Sequence, residues 1–189
     1  MSLRLAAITD EFSPDDLNTA LAGMATIGMT GAELRVVGGR NMLDFSDAEV
    51  DRVREQVAAR GMTIVALASP LLKCVLPDAP PLDSRVQHDV FGSAYTYADQ
   101  PRLATRAFDI AARLGTRVIR VFSYWRTTEP HACFDRVAEA LHALGDEAGK
   151  RGLVIGLENE HACNVGTGAE AAQVLAMVDH PAVGLVWDP

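Results

Sequence analysis

Short apolar runs alternate along the chain with longer segments in which apolar residues recur every three or four positions. A glycine stands at most returns from the second pattern to the first. The alternation predicts repeated strand–helix units. Strands are expected over 3–9, 31–36, 63–68, 117–122, 154–158 and 183–187. Most of these runs are too uniformly apolar for a sheet with one wet face, which suits parallel strands covered by helices. Gly28, Gly61, Gly115 and Gly152 fall where each helix would end in a left-handed residue.

Helix starts are marked with similar regularity by Ser13-Pro14-Asp15-Asp16, Ser46-Asp47-Ala48-Glu49 and Thr167-Gly168-Ala169-Glu170. The last two read as capping boxes, in which a hydroxyl accepts from the third helical N–H and the glutamate reaches back. They predict helices over 14–27, 47–60 and 168–178. Pro101 and Pro130 mark two more, over 101–114 and 131–151, the second with Phe134, Val137, Ala138, Leu141 and Leu144 at helical spacing. The segment 69–100 breaks the rhythm with Pro70, Pro77, Pro80 and Pro81 and no sustained period. A connection of that length reads as a lid, a binding loop or a contact surface, and is where a homo-oligomer contact would be sought.

Six units of about 30 residues fill the chain, whereas a complete (β/α)8 barrel needs about 250 residues. The sequence ends at Asp188-Pro189, directly after a strand. The expected architecture is therefore α/β: a TIM-type (β/α) barrel, incomplete, in one domain over 1–189 that is truncated after strand six. An open doubly wound sheet would place a glycine-rich phosphate turn after the first strand. Thr9-Asp10-Glu11-Phe12-Ser13 holds no glycine, so a dinucleotide site is not expected.

Composition narrows the function classes. With 49% apolar residues and only 22% charged, the chain can bury a core. The 17 basic and 25 acidic side chains give a net charge of −8, and there is no dense Lys/Arg tract, which argues against a nucleic-acid partner. Cys74, Cys133 and Cys163 are far apart and form no C-x-x-C pair, so they read as reduced thiols of a cytoplasmic protein. No run is long enough to span a membrane, and the N-terminus has no signal-peptide pattern.

In parallel βα folds chemistry gathers at the carboxyl ends of strands. Here those ends carry Asp10-Glu11, Glu33 with Arg35, Arg120, Glu158-Asn159-Glu160-His161 and Asp188. Glu158 and Asp188 each close an apolar run, where a carboxylate is costly to bury alone, and such a pair invites a divalent cation. Oxygen ligands suit Mn²⁺, Mg²⁺ or Co²⁺ best, with Zn²⁺ as the further option. The same acids could instead cap helices or pair with arginine.

Glu33 and Arg35 are two apart and so face one way on a strand, either as substrate contacts or as an internal ion pair. Arg120, between Ile119 and Val121, points inward to a sugar oxygen or to Glu158. Glu160 and His161 either approach substrate or bond loop backbone, while Asp10 and Glu11 organise the first loop. Cys163 lacks the electropositive setting of a catalytic thiol. Phe91, Tyr95, Tyr97 and Trp125 could wall a sugar ring or serve as core or subunit contacts.

The stretch Val154-Ile-Gly-Leu-Glu158-Asn-Glu-His161, then Asn164-Val-Gly-Thr-Gly168 and Gly184-Leu-Val-Trp-Asp188-Pro189, resembles the xylose isomerase-like sugar isomerase/epimerase superfamily, distantly related to endonuclease IV. Gly31-Ala-Glu33-Leu-Arg35 and Arg120-Val-Phe-Ser123 are similar to it as well. The resemblance implies a TIM barrel with one divalent metal, held by acidic residues after strands five and six and by a histidine and a glutamate after strands seven and eight. Glu158 and Asp188 match the first two, and the others have no counterpart here.

It further implies proton transfer beside a sugar carbonyl through an enediolate, with Glu158 as both ligand and proton carrier. Glu160, His161 and Arg120 would contact a sugar or sugar phosphate. With half of the ligand shell absent, negligible turnover is expected of these 189 residues. An endonuclease IV-like enzyme is the alternative within the fold, but it would need histidines after strands two and three, where Leu34-Arg35-Val36 and Ala68-Ser69-Pro70 stand. A barrel that binds a sugar or a partner without catalysis is the other alternative.

Overall fold

Four helix-to-strand returns of the computed structural model pass through a glycine, and these expected C-cap residues all adopt the left-handed conformation, with φ of +79° at Gly28, +67° at Gly61, +73° at Gly115 and +68° at Gly152; the last helix instead ends at left-handed Asp179 (φ +40°). The structure describes residues 4–86 and 95–189. The elements are β1 (Ala6–Ile8), α1 (Thr9–Phe12), α2 (Leu17–Thr26), β2 (Gly31–Leu34), β3 (Val36–Val37), β4 (Arg40–Asn41), α3 (Asp47–Ala59), β5 (Thr63–Ala68), α4 (Gln100–Leu114), β6 (Val118–Val121), α5 (Phe134–Lys150), β7 (Val154–Glu158), α6 (Gly168–Val178) and β8 (Val183–Val186). The fold is α/β. Two compact units divide it, Met1–Ser69 with Arg106–Ile119, and Pro70–Thr105 with Arg120–Pro189.

In the first unit β1, β2 and β5 are parallel neighbours in chain order, with a register shift between Ala32 and Glu33. Gly31 is required by that packing, since a Cβ there would lie 2.8 Å from both Ala6 Cβ and Val65 Cγ1. Helix α3 buries Val50, Val53 and Val57 and starts in a true capping box, with Ser46 and Glu49 bonded reciprocally. Arg106 and Arg113 reach its first turns at Asp47 (2.7 and 2.6 Å), and Arg113 also reaches Asp51 (2.7 Å).

Two expectations in this unit need correction. The helix expected over 14–27 begins at Leu17, because Asp16 rather than Ser13 is the cap; its carboxylate accepts from the N–H groups of Asn18 (3.0 Å) and Thr19 (3.3 Å). The strand expected to 36 ends at Leu34, so Arg35 is not on the same strand as Glu33. Beyond it, Val36–Val37 and Arg40–Asn41 form an antiparallel hairpin around Gly38 and Gly39, both with positive φ.

In the second unit β7 and β8 run parallel, with Glu158 opposite Val186. Helix α5 buries Phe134, Val137, Ala138 and Leu141. It approaches the start of β8 so closely that a Cβ at Gly145 would come within 2.7 Å of His180 Nδ1 and Val183 Cγ2. The Thr167 box is only half formed. Thr167 accepts from the N–H of Glu170 (3.2 Å), but the Glu170 carboxylate goes to the N–H of Gly166 (2.8 Å) and to Arg126 (3.0 Å), because that guanidinium offers a stronger, charged donor. Residues 70–76 follow an irregular path, and Phe91 lies outside the described residues. Among the described residues no helix is long and apolar enough to cross a membrane.

Candidate functional site

Strand β7 delivers Glu158 to the end of the second unit's sheet, and the next residue fixes what stands beside it. The Asn159 amide donates to the backbone carbonyl of Asp188 (2.7 Å) and accepts from the backbone N–H of Asp188 (3.0 Å). This two-bond clamp sets Asp188 near Glu158, and its charge reaches that carboxyl. The Asp188 side chain is exposed, whereas that of Glu158 retains 16% exposure.

Burial raises the Glu158 pKa above its ordinary value. Arg120 opposes this, Glu160 and Asp188 add to it, and Lys73 opposes it. Arg120 is buried, as its alternation in β6 predicts; its guanidinium stands 3.3 Å from Glu158 Oε2 and stacks over the Phe122 ring at 4.2 Å. Glu160 accepts from the N–H of Ala162 (3.2 Å), contacts His161 Nδ1 at 2.8 Å and faces the Lys73 ammonium at 3.6 Å. His161 is largely exposed.

The platform under these groups is a tightly bonded knot of chain. The N–H groups of Phe122, Tyr124 and Trp125 donate to the carbonyls of Leu71 (2.9 Å), Leu72 (2.7 Å) and Cys74 (2.9 Å). Leu72 and Tyr124 both hold φ of +62°, a left-handed conformation that costs about 1–2 kcal/mol for a residue with a side chain.

Fully buried Asn164 ties the same strand end from the other side. Its amide donates to the carbonyls of Ser123 (3.1 Å) and Trp125 (3.1 Å) and accepts from the N–H (3.0 Å) and hydroxyl (3.1 Å) of Thr127. Every hydrogen-bonding position of that side chain is thereby used. Phe122, Trp125, Ala162 and Cys163 pack together beneath, and burial pushes the Cys163 thiol up to about 12, which leaves it inert as expected. Tyr95, Tyr97 and Trp125 line one cavity of about 400 Å³ with Cys74, Val75 and Pro77.

The structure thus gathers Arg120, Glu158, Glu160, His161 and Asp188 in the second unit. Glu33 and Arg35 belong to the first, where Arg35 is held by Asp10 (2.7 Å) and Glu11 (2.6 Å), the two acids expected to organise that loop. Asn159 and Asn164 stood inside the stretches that carry the resemblance but were given no role of their own, and Lys73 stood in none of them. Lys73 did carry a signal, as one of only two lysines in the chain and set in the apolar run Leu71-Leu72-Lys73-Cys74-Val75-Leu76.

As metal ligands, Glu158 and Asp188 offer the hard oxygen donors that Mg²⁺ or Mn²⁺ prefers. A buried carboxyl whose charged form is disfavoured is what a cation would relieve, so the donor chemistry fits. Among the described residues no group of three or more His, Cys, Asp or Glu side chains stands where it could hold a metal ion. The pair would account for two ligands.

No curated protein matches the chain. Solved structures do. A fusion of a xylose isomerase-like TIM barrel with 4-hydroxyphenylpyruvate dioxygenase aligns at 24% identity and TM-score 0.64, covering 95% of this chain and 26% of that one. A xylose isomerase-like TIM barrel protein from Mycobacterium smegmatis, in complex with magnesium, aligns at 19% and 0.63, covering 89% and 54%. D-psicose 3-epimerase, in the presence of D-fructose, aligns at 18% and 0.69, covering 97% and 63%.

At such identities the likeness concerns the fold, which is the expected incomplete TIM-type barrel, and the chain spans less than two thirds of each of these proteins. A family model described as xylose isomerase-like TIM barrel matches residues 21–189, and the chain belongs to that family.

Proposed function

We propose that this chain carries part of a divalent-metal site serving a sugar isomerase or epimerase, with Glu158 and Asp188 as ligands and Mn²⁺, Mg²⁺ or Co²⁺ as the ion. The observation that carries the reading is Glu158, a carboxyl disfavoured in its charged form by burial and standing near a second carboxylate whose backbone is clamped by Asn159. The magnesium complex and the epimerase among the similar structures are in keeping with it.

An ion held there supplies Lewis-acid stabilisation of negative charge on a carbonyl oxygen. The protein's own groups do the rest. Glu158, as carboxylate, accepts the proton from the carbon beside the carbonyl, and Arg120 orients it while limiting the rise in its pKa. Glu160, fixed by the Ala162 N–H, accepts from a substrate hydroxyl, and exposed His161 donates at the mouth. The net charge of −8 and the absence of histidine at 34–36 and 68–70 keep a DNA-repair reading unfavoured.

The test is paramagnetic broadening. With Mn²⁺ present, the proton resonances of D-fructose or of D-fructuronate should broaden in the presence of the chain and sharpen again with Glu158→Gln. If neither ketose broadens beyond the Mn²⁺-only control, the reading fails.

A further inference from the structure

Strand β8 is the last strand of its sheet, and among the described residues no strand pairs with its outer side. Which backbone groups face that side follows from the bonds on the other. The Ile155 N–H donates to the Ala182 carbonyl (2.9 Å), and at the far end both backbone groups of Asp188 are held by the Asn159 amide. Even-numbered residues from 182 to 188 therefore turn their backbone groups to β7, and by alternation Val183, Leu185 and Trp187 turn theirs outward. The Val183 N–H bends back to the His180 carbonyl (3.0 Å). The Val183 carbonyl and both backbone groups of Leu185 and Trp187 remain along the edge.

The side chains of the same three residues share the helix-covered face, since Val183 lies against Gly145 of α5 and Trp187 against Gly168 of α6. Leu185 keeps 42% exposure and Trp187 61%. The run from Pro181 to Trp187 carries no charge, and 183–187 contains none of the devices that blunt an open edge: no lysine, no proline and no bulge.

We propose that this edge is an interface for a second copy of the chain, paired antiparallel about a two-fold axis through Leu185. In that register the edge is self-complementary. Leu185 exchanges a pair of hydrogen bonds with its counterpart, and each Trp187 N–H reaches the Val183 carbonyl of the other copy. On the helix-covered face the pairing sets Leu185 against Leu185 and Val183 against Trp187, an aliphatic pair and a pair of β-branched with aromatic side chains, both of which stabilise sheets. It also sets Asp188 opposite Ala182, so the two Asp188 carboxylates stand at opposite ends of the ladder, where an in-register parallel pairing would bring them together. Such an interface closes on itself and stops at two copies. One short strand and two exposed side chains make a small contact, so the dimer is weak and depends on concentration.

Sedimentation velocity over a concentration series tests this, with no metal added, so that neither result bears on the Glu158–Asp188 reading. The chain should convert from monomer to dimer as its concentration rises. Leu185→Lys brings two ammonium groups face to face across the axis and should raise the dissociation constant by about tenfold or more. Its side chain points to solvent in the monomer, so the melting temperature of the dilute chain should hold. Leu185→Cys reads the register: Cα atoms of such a pair stand about 5.5 Å apart, within disulfide reach, and the native cysteines are buried, so mild oxidation should trap this variant as a linked dimer.

A chain that stays monomeric to about 1 mM leaves the edge to some other strand and overturns the proposal. So does a dimer undiminished in folded Leu185→Lys, a Leu185→Cys dimer that does not cross-link, or association that grows past two copies.

Discussion

Replacing Asn164 by leucine should be among the most damaging single changes in the second unit. The side chain is fully buried and makes four hydrogen bonds, to the Ser123 and Trp125 carbonyls and from the Thr127 N–H and hydroxyl. Leucine fills a similar volume, so little cavity is created. What is lost is the partner of three buried backbone groups, each worth about 1–3 kcal/mol when stripped in a dry interior. The Thr127 hydroxyl is less affected, because it keeps the Cys133 sulfur at 3.6 Å.

Allowing for partial relaxation, Asn164→Leu should destabilise by about 3–5 kcal/mol, a large share of the roughly 5–15 kcal/mol that holds a domain folded. At about 2–4 °C per kcal/mol for a chain of this size, the melting temperature should fall by roughly 6–20 °C. Thr127→Val removes the hydroxyl's bond to Asn164 and its weaker contact with the Cys133 sulfur while keeping the backbone bond, and should cost about 1 kcal/mol; the double variant should cost less than the two losses added. Urea unfolding followed by circular dichroism measures all three. A loss below about 1 kcal/mol for Asn164→Leu would refute the claim that this amide organises the strand end.

The remaining predictions concern the clamp, the titration of Glu158 and the β1–β2–β5 packing. Asn159→Ala frees the Asp188 backbone and should weaken Mn²⁺ binding by about tenfold or more, read by calorimetry, with little change in the melting temperature. Because the folded pKa of Glu158 lies above its ordinary 4.5, the folded state holds that proton more tightly than the unfolded chain. Its contribution therefore grows as pH falls through the raised folded value and is complete below about 4.5; it is lost again as pH rises. Metal-free wild type should gain stability relative to Glu158→Gln across that window, and a pH-independent difference would contradict the burial argument. Gly31→Ala drives a methyl into Ala6 and Val65 and should destabilise by about 1–3 kcal/mol, measured by thermal unfolding.

The alternation of apolar runs and amphipathic segments made the strand–helix order legible, because a buried parallel strand and a helix differ in period whatever surrounds them. Strands 63–68 and 154–158 appear with the expected bounds, as does the helix at 168–178. Local competition among donors and acceptors was harder to read. Ser13 and Asp16 are both competent caps, and only the backbone decides that Asp16 meets the N–H groups of Asn18 and Thr19. Glu170 was at the right spacing for a capping box, yet Arg126, far away in sequence, recruits it.

The hairpin around Gly38-Gly39 carried its own signal in the paired glycines, which the longer strand reading over 31–36 overrode. For the site, the strand-end acids were visible in sequence because carboxylates after apolar runs are unusual. Lys73 was conspicuous only as a rare lysine in an apolar run; its place in the site was not legible, since its partners Phe122, Trp125 and Glu160 lie about 50 to 90 residues along the chain and an irregular loop has no period to place it.

Calorimetric titration of Mn²⁺ into the wild-type chain, Glu158→Gln and Asp188→Asn tests the central claim most directly. The account predicts one bound equivalent for the wild type, lost or weakened at least about a hundredfold in each variant while both remain folded, since each substitution removes a carboxylate ligand. Binding that is absent in the wild type, or undiminished in both variants, would contradict it and leave the two carboxylates as structural groups.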